Sequence, residues 1–188
     1  MLKKDEKELL DELRKIQKDK ENWKCNIDFV AERLDDIYSV NVKAKALWML
    51  GEMGLSYPQE VEPYIGEIAG YMGDEHPKLR ERSINALGRI GRADKNLVIH
   101  YLDKLMKARK DEDGAVRLAF IWACENIGTN SPELFCEKLD LFYEMISDSS
   151  ATLARLFVLW KTLLSSVLGA PASMSSDAAR IHAAVVLL

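Results

Sequence analysis

The 188-residue sequence predicts an all-α fold, a solenoid of helix pairs with a period near 37 residues. Two observations carry that prediction. The first is self-similarity. The phrase SINALGRIG (83–91) returns, loosely spelled, as ALWMLGEMG (46–54) and FIWACENIG (120–128), so Gly54, Gly91 and Gly128 stand 37 residues apart. Flanking positions keep the same register: Val42 with Leu79 and Val116, Leu47 with Ile84 and Ile121, Asp74 with Asp111 and Asp148. The second is periodicity. Within each unit the apolar residues recur at i, i+3, i+4 and i+7, which is one face of a helix and not a strand.

Taken in order, a charged helix is expected over 3–18. Each unit then holds two helices. One carries the glycine-containing phrase and is expected over 42–53, 77–90 and 114–127. The other follows a proline or polar cap (Pro58, Asp94, Pro132) and is expected over 58–72, 95–109 and 132–147. A last helix is expected over about 176–187. Gly54, Gly91 and Gly128 are expected at helix C-termini, where a positive φ costs glycine nothing. Gly51 and Gly88, three residues earlier, are expected where two helices approach closely.

The most specific element is an aspartate followed about six residues later by a Val/Leu-Arg step: Asp74 to Leu79-Arg80, Asp111 to Val116-Arg117, more loosely Asp148 to Arg155, with Asp36 to Val42-Lys43 substituting lysine. This pattern resembles the HEAT repeat (armadillo-type α-helical repeat) family over most of the chain. The resemblance implies a right-handed α-α superhelix of about ten helices. It also implies an interior ladder, formed by Asp74, Arg80, Asp111, Arg117, Asp148 and Arg155, that ties each repeat to the next. Grouped by the family's convention, the chain is one domain: a capping helix in 1–21, repeats at 22–54, 58–91, 95–128 and 132–168, and a capping helix or atypical tail at 169–188.

Composition narrows the function. With 48% hydrophobic and 30% charged residues the chain reads as globular, and a net charge of −4 excludes a generally basic nucleic-acid binder. The first twenty residues alternate lysines and acids, so no signal peptide and a cytoplasmic location are expected. The tail from 151 holds only Arg155, Lys161, Asp177 and Arg180 as charges, yet Lys161 to Asp177 is too short and too rich in serine, Gly169 and Pro171 for a membrane span. Cys25, Cys124 and Cys136 lack metal or redox spacing and lie among apolar neighbours, so three buried, reduced thiols are expected. His76, His100 and His182 have no ligand spacing, and no phosphate loop or nucleophile motif occurs. No catalysis, cofactor or metal is expected.

Two features point to binding. The glycine-containing helices (42–54, 77–92, 114–127, 151–165) hold ten bases against three acids, Glu52, Glu81 and Glu125, while 58–75 holds five acids and no base. By resemblance, the basic helices line the concave side. Trp48, Asn85 and Trp122 share one repeat position, joined by Trp160 if the last unit slips by one residue, with Lys45, Arg82, Arg89 and Lys161 around them. The row reads either as packing between adjacent helices or as a stacking surface for a ligand. The expected function is a non-catalytic scaffold that binds a protein segment in its groove. The alternative is a nucleic-acid-binding protein of the HEAT-like alkylpurine glycosylase type, for which Trp48-xxx-Glu52 is the nearest analogue of a Trp–acid pair.

Overall fold

A computed structural model describes residues 5–135 together with 138, 141, 142 and 145. Asp148, Arg155, Trp160, Lys161, Cys136 and the helix expected over 176–187 lie outside the described residues. Eight α segments are described: α1 (Glu6–Lys18), α2 (Ile27–Ala31), α3 (Val40–Ser56), α4 (Pro58–Val61), α5 (Ile65–Gly70), α6 (Pro77–Ala93), α7 (Leu102–Lys107) and α8 (Gly114–Asn130). Short 3-10 segments join several of them. The starts of α3, α6 and α8 fall at 40, 77 and 114, and all three are 17 residues long.

Those three helices form one layer, α6 lying between α3 and α8. Their starts are set locally. Ser39 Oγ accepts the Val42 amide at the head of α3, Pro77 opens α6, and Asp113 accepts the amides of Ala115 and Val116 at 2.8 and 3.3 Å. The second layer is less regular than its periodicity predicts. Residues 58–73 alternate α4, a 3-10 turn (Glu62–Tyr64), α5 and a second 3-10 turn (Tyr71–Gly73). Pro63 lies in the first of these turns, lacks an amide hydrogen and cannot continue an α ladder. One register later, Ile99–Tyr101, α7 and Ala108–Lys110 repeat the same succession. Between the layers Leu47, Met49, Leu50, Ile68, Ile84, Ile90, Phe120 and Ile121 are fully buried.

The glycines divide into two structural types. Gly51 and Gly88 sit where neighbouring helices touch backbone to backbone: a Cβ on Gly51 would lie 2.7 Å from Ala86 Cα, and one on Gly88 2.6 Å from Ala123 Cα. Gly54 and Gly91 correct the expectation of a C-terminal cap. The helices run on to Ser56 and Ala93, and neither glycine has a positive φ. They are buried helix-interior residues that make room for the side chains of Ile90, in one case, and of Val98 and Ile127 in the other.

Arg80 joins two repeats. Its Nη1 donates to the carbonyls of Asp74 and Glu75 at 3.0 and 3.1 Å, while Nε and Nη2 grip the Asp111 carboxylate, each at 2.8 Å. Arg117 repeats the first half of this arrangement, donating to the carbonyls of Asp111 and Glu112. The Asp74 carboxylate faces the His76 amide and ring instead. In the first repeat Lys43 meets Asp36 through one contact of 2.8 Å, as expected of a side chain without Arg's planar fork.

The cysteine expectation needs one correction. Cys124 is fully buried and its thiol is pushed well up by burial, but Cys25 lies exposed on the 3-10 turn Lys24–Asn26. Mass-spectrometric mapping after a short treatment with a thiol reagent is expected to find Cys25 modified and Cys124 intact until the protein is unfolded, because only an accessible thiolate reacts. Equal labelling of both in the native state would contradict this arrangement.

Candidate functional site

Ser83 marks the side of α6 turned to the second layer, since its hydroxyl donates to the Ile68 carbonyl at 2.6 Å. At 3.6 residues per turn, Lys78, Arg82, Asn85 and Arg89 occupy the opposite side. The equivalent row on α3 is Asn41, Lys45, Trp48 and Glu52, and on α8 it is Ala115, Ala119, Trp122 and Asn126. Bonds cross between the rows in register. Lys78 Nζ donates to Asn41 Oδ1 at 2.8 Å, and Arg89 Nε meets Glu52 Oε1 at 2.6 Å.

The helix α1 continues this layer beyond α3. Its buried Leu9 and Leu13 pack into the core, and Trp23 Nε1 donates to the Ile16 carbonyl at 3.0 Å, fixing its end. Asn41 reaches Glu6 at 3.0 Å, and Lys45 donates to Gln17. Where α1, α3 and α6 meet, a cleft of about 440 Å³ opens. Trp48 and four cations, Arg14, Lys45, Lys78 and Arg82, line it. Leu10, Asn41 and Ala44 complete its wall, and no carboxylate of the described residues takes part.

The electrostatics of the cleft are one-sided. Lys45 Nζ lies 4.6 Å from the centre of the Trp48 ring. Burial pushes the Lys45 ammonium below its ordinary range, and the charges of Arg14 and Arg82 push it further. Arg14 has Asp11 at 2.6 Å, but both side chains are half exposed, and Arg82 stands 3.9 Å from Glu81. Among the described residues, the oxygens that Lys45 and Lys78 meet are the neutral ones of Gln17 and Asn41.

The predicted row thus separates into two parts. Trp48, Lys45 and Arg82 come together in the cleft. Trp122 and Arg89 form a second cluster, the guanidinium 4.3 Å from the ring centre and also held by Glu52. Burial, with the like charge of Arg82, outweighs the opposing pull of Glu52 and leaves Arg89 below the ordinary range. Asn85 stands between, donating to Glu81 at 3.2 Å while its carbonyl accepts from Arg89 at 3.4 Å. All three row residues are half-buried. Sequence reasoning missed Arg14, Lys78 and Leu10. Lys78 shares the register of Asn41, but α1 stands outside the repeat, and no periodicity says which helix it packs against. Among the described residues there is no group of His, Cys, Asp and Glu fit to hold a metal, and no helix long and apolar enough to cross a membrane.

Comparison with known proteins agrees with this architecture. A family model described as HEAT repeats matches residues 68–156. No curated protein matches the chain. Among solved structures, a designed armadillo repeat protein in complex with the peptide (KR)4 superposes with a TM-score of 0.67 at 15% identity, covering 98% of this chain and 94% of that one. The crystal structure of an engineered protein superposes with a TM-score of 0.61 at 12% identity, covering 73% of this chain. The chain spans 62% of the length of that engineered protein.

Proposed function

We propose that this chain, which matches HEAT repeats over residues 68–156 and has the fold of an armadillo-type helical repeat protein, is a non-catalytic interaction scaffold whose α1–α3–α6–α8 face binds an extended segment of another protein. One observation carries the reading: the stacking of α3, α6 and α8 puts positions 48, 85 and 122 in a single row on the side facing away from the second layer. Tryptophan offers large, rigid contact area at low entropic cost, and the asparagine between the two offers an amide to a peptide backbone. At about 8–10 Å per packed helix the row is about 20 Å long, the reach of about six extended residues. The designed armadillo neighbour, in complex with the peptide (KR)4, supports a peptide as the kind of ligand.

The test is selection from a random peptide display library on the intact chain. Selected peptides are expected to lose about tenfold or more in affinity with Trp48→Ala or Trp122→Ala, while circular dichroism stays unchanged. No selected peptide, or selected peptides indifferent to both substitutions, would overturn the reading. Retention on immobilised DNA that falls steeply with salt would favour nucleic acid instead, since phosphate contacts release counterions.

A further inference from the structure

The cleft between α1, α3 and α6 has a chemistry more specific than the row it ends. We infer that this cleft recognises an acidic peptide segment, its carboxylates held by Lys45, Lys78, Arg82 and Arg14 with an aliphatic stem against Trp48. The inference rests on the reading of this face as a peptide-binding surface and specifies which peptides it takes.

The argument is charge complementarity. Four cations converge on one cleft with no carboxylate of the described residues in its wall. Among the described residues, Lys45 and Lys78 donate to neutral amide oxygens, which a carboxylate can displace or join at a stronger, charge-assisted bond. Burial depresses the Lys45 ammonium, and the nearby charges of Arg14 and Arg82 add to the cost of its charge. An incoming anion relieves this repulsion, so the unfavourable charge of the free protein becomes binding energy. The size also fits, since about 440 Å³ holds one or two side chains and not a folded domain.

The same face argues against a nucleic-acid strand. Glu52 ends the α3 row and Glu81 accepts from Asn85 of the α6 row, and both would disfavour a continuous phosphate backbone. One face of Trp48 is already covered by Lys45. A peptide with carboxylates clustered at one end and neutral residues following matches the step from the basic cleft lining to the uncharged α8 row of Ala115, Ala119, Trp122 and Asn126.

The experiment measures fluorescence anisotropy of three dye-labelled probes at low ionic strength: an alternating Asp-Glu octapeptide, an alternating Lys-Arg octapeptide, and a single-stranded oligothymidylate. The Asp-Glu peptide is expected to bind and the Lys-Arg peptide not. Lys45→Gln and Arg82→Gln are each expected to weaken the Asp-Glu peptide about tenfold, the loss of one charge-assisted contact. Lys107→Gln, an exposed base on α7, removes the same net charge elsewhere and is expected to change little. Tighter binding of the Lys-Arg peptide, no binding of either peptide, or an Asp-Glu affinity that Lys107→Gln lowers as much as Lys45→Gln does, would overturn the inference. Selection of neutral or basic display peptides sensitive to Trp48→Ala would then leave the broader reading standing. An oligothymidylate that binds more tightly than both peptides, with no display peptide selected, would overturn both.

Discussion

Arg80→Ala is expected to cost about 3–5 kcal/mol of stability, the range for removing one partner of a buried ion pair. The Arg80 and Asp111 side chains are only 10% and 12% exposed, so water does little to replace the lost partner. The substitution also strips hydrogen-bond donors from the carbonyls of Asp74 and Glu75. For a chain of this length, such a loss lowers the melting temperature by about 10 °C. Arg80→Lys is expected to fall between, as lysine keeps the charge but not the fork. The effect has a defined pH dependence. Burial alone would raise the Asp111 carboxyl, but hydrogen bonds from Arg80 and from the Asp113 amide, with the charges of Arg80 and Arg117, hold it below its ordinary range. A depressed carboxyl stabilises the fold above its unfolded value, about 3.9, and that contribution is lost as pH falls through the folded value. The gap between wild type and Arg80→Ala should therefore be full at neutral pH and narrow in acid below about pH 4. Melting curves from pH 7 to pH 3 provide the check, and equal melting temperatures at neutral pH would refute it.

The repeat was legible in the sequence because each unit obeys the same local rules. The starts of α3, α6 and α8 follow from Ser39, Pro77 and Asp113, and their buried faces from the apolar spacing. Helix ends were harder to see. Gly54 and Gly91 look like caps when only propensity is considered, yet α3 continues to Ser56 and stops where Tyr57 precedes Pro58. What decides those glycines is the side chain facing them in the next repeat, which is tertiary information. Cys25 misled for a related reason: Trp23 and Ile27 beside it are buried, but the tight 3-10 turn sends the thiol outward. For the candidate site, the register predicted the Trp48–Asn85–Trp122 row but not its division into two clusters. That division comes from Glu52 engaging Arg89 at one end and from α1 bringing Arg14 and Leu10 to the other. Neither contact is written in a periodicity.

The two kinds of glycine lead to opposite double-mutant results. Helix propensity alone says that Gly88→Ala should stabilise α6 by about 1 kcal/mol. The packing says otherwise. The new methyl would lie 2.6 Å from Ala123 Cα and 2.9 Å from its Cβ, so α6 and α8 must move apart along their shared interface. Overpacking of this kind typically costs about 1–3 kcal/mol, and more where the obstacle is backbone. Adding Ala123→Gly removes the Cβ but leaves the Cα in place, so it should not restore stability. Gly54→Ala meets a side chain instead: Ile90 Cγ1 at 2.5 Å and Cδ1 at 3.3 Å, with Cβ at a comfortable 3.6 Å. Ile90→Ala removes both offending atoms. That substitution alone costs about 2–5 kcal/mol of lost burial. Combined with Gly54→Ala, the pair should be less destabilised than the sum of its parts by about 1 kcal/mol or more. Urea denaturation of the four single and two double mutants tests both halves. A stabilising Gly88→Ala, or additivity at the 54/90 pair, would show that the layer yields to these methyl groups and that the glycines do not set the helix spacing.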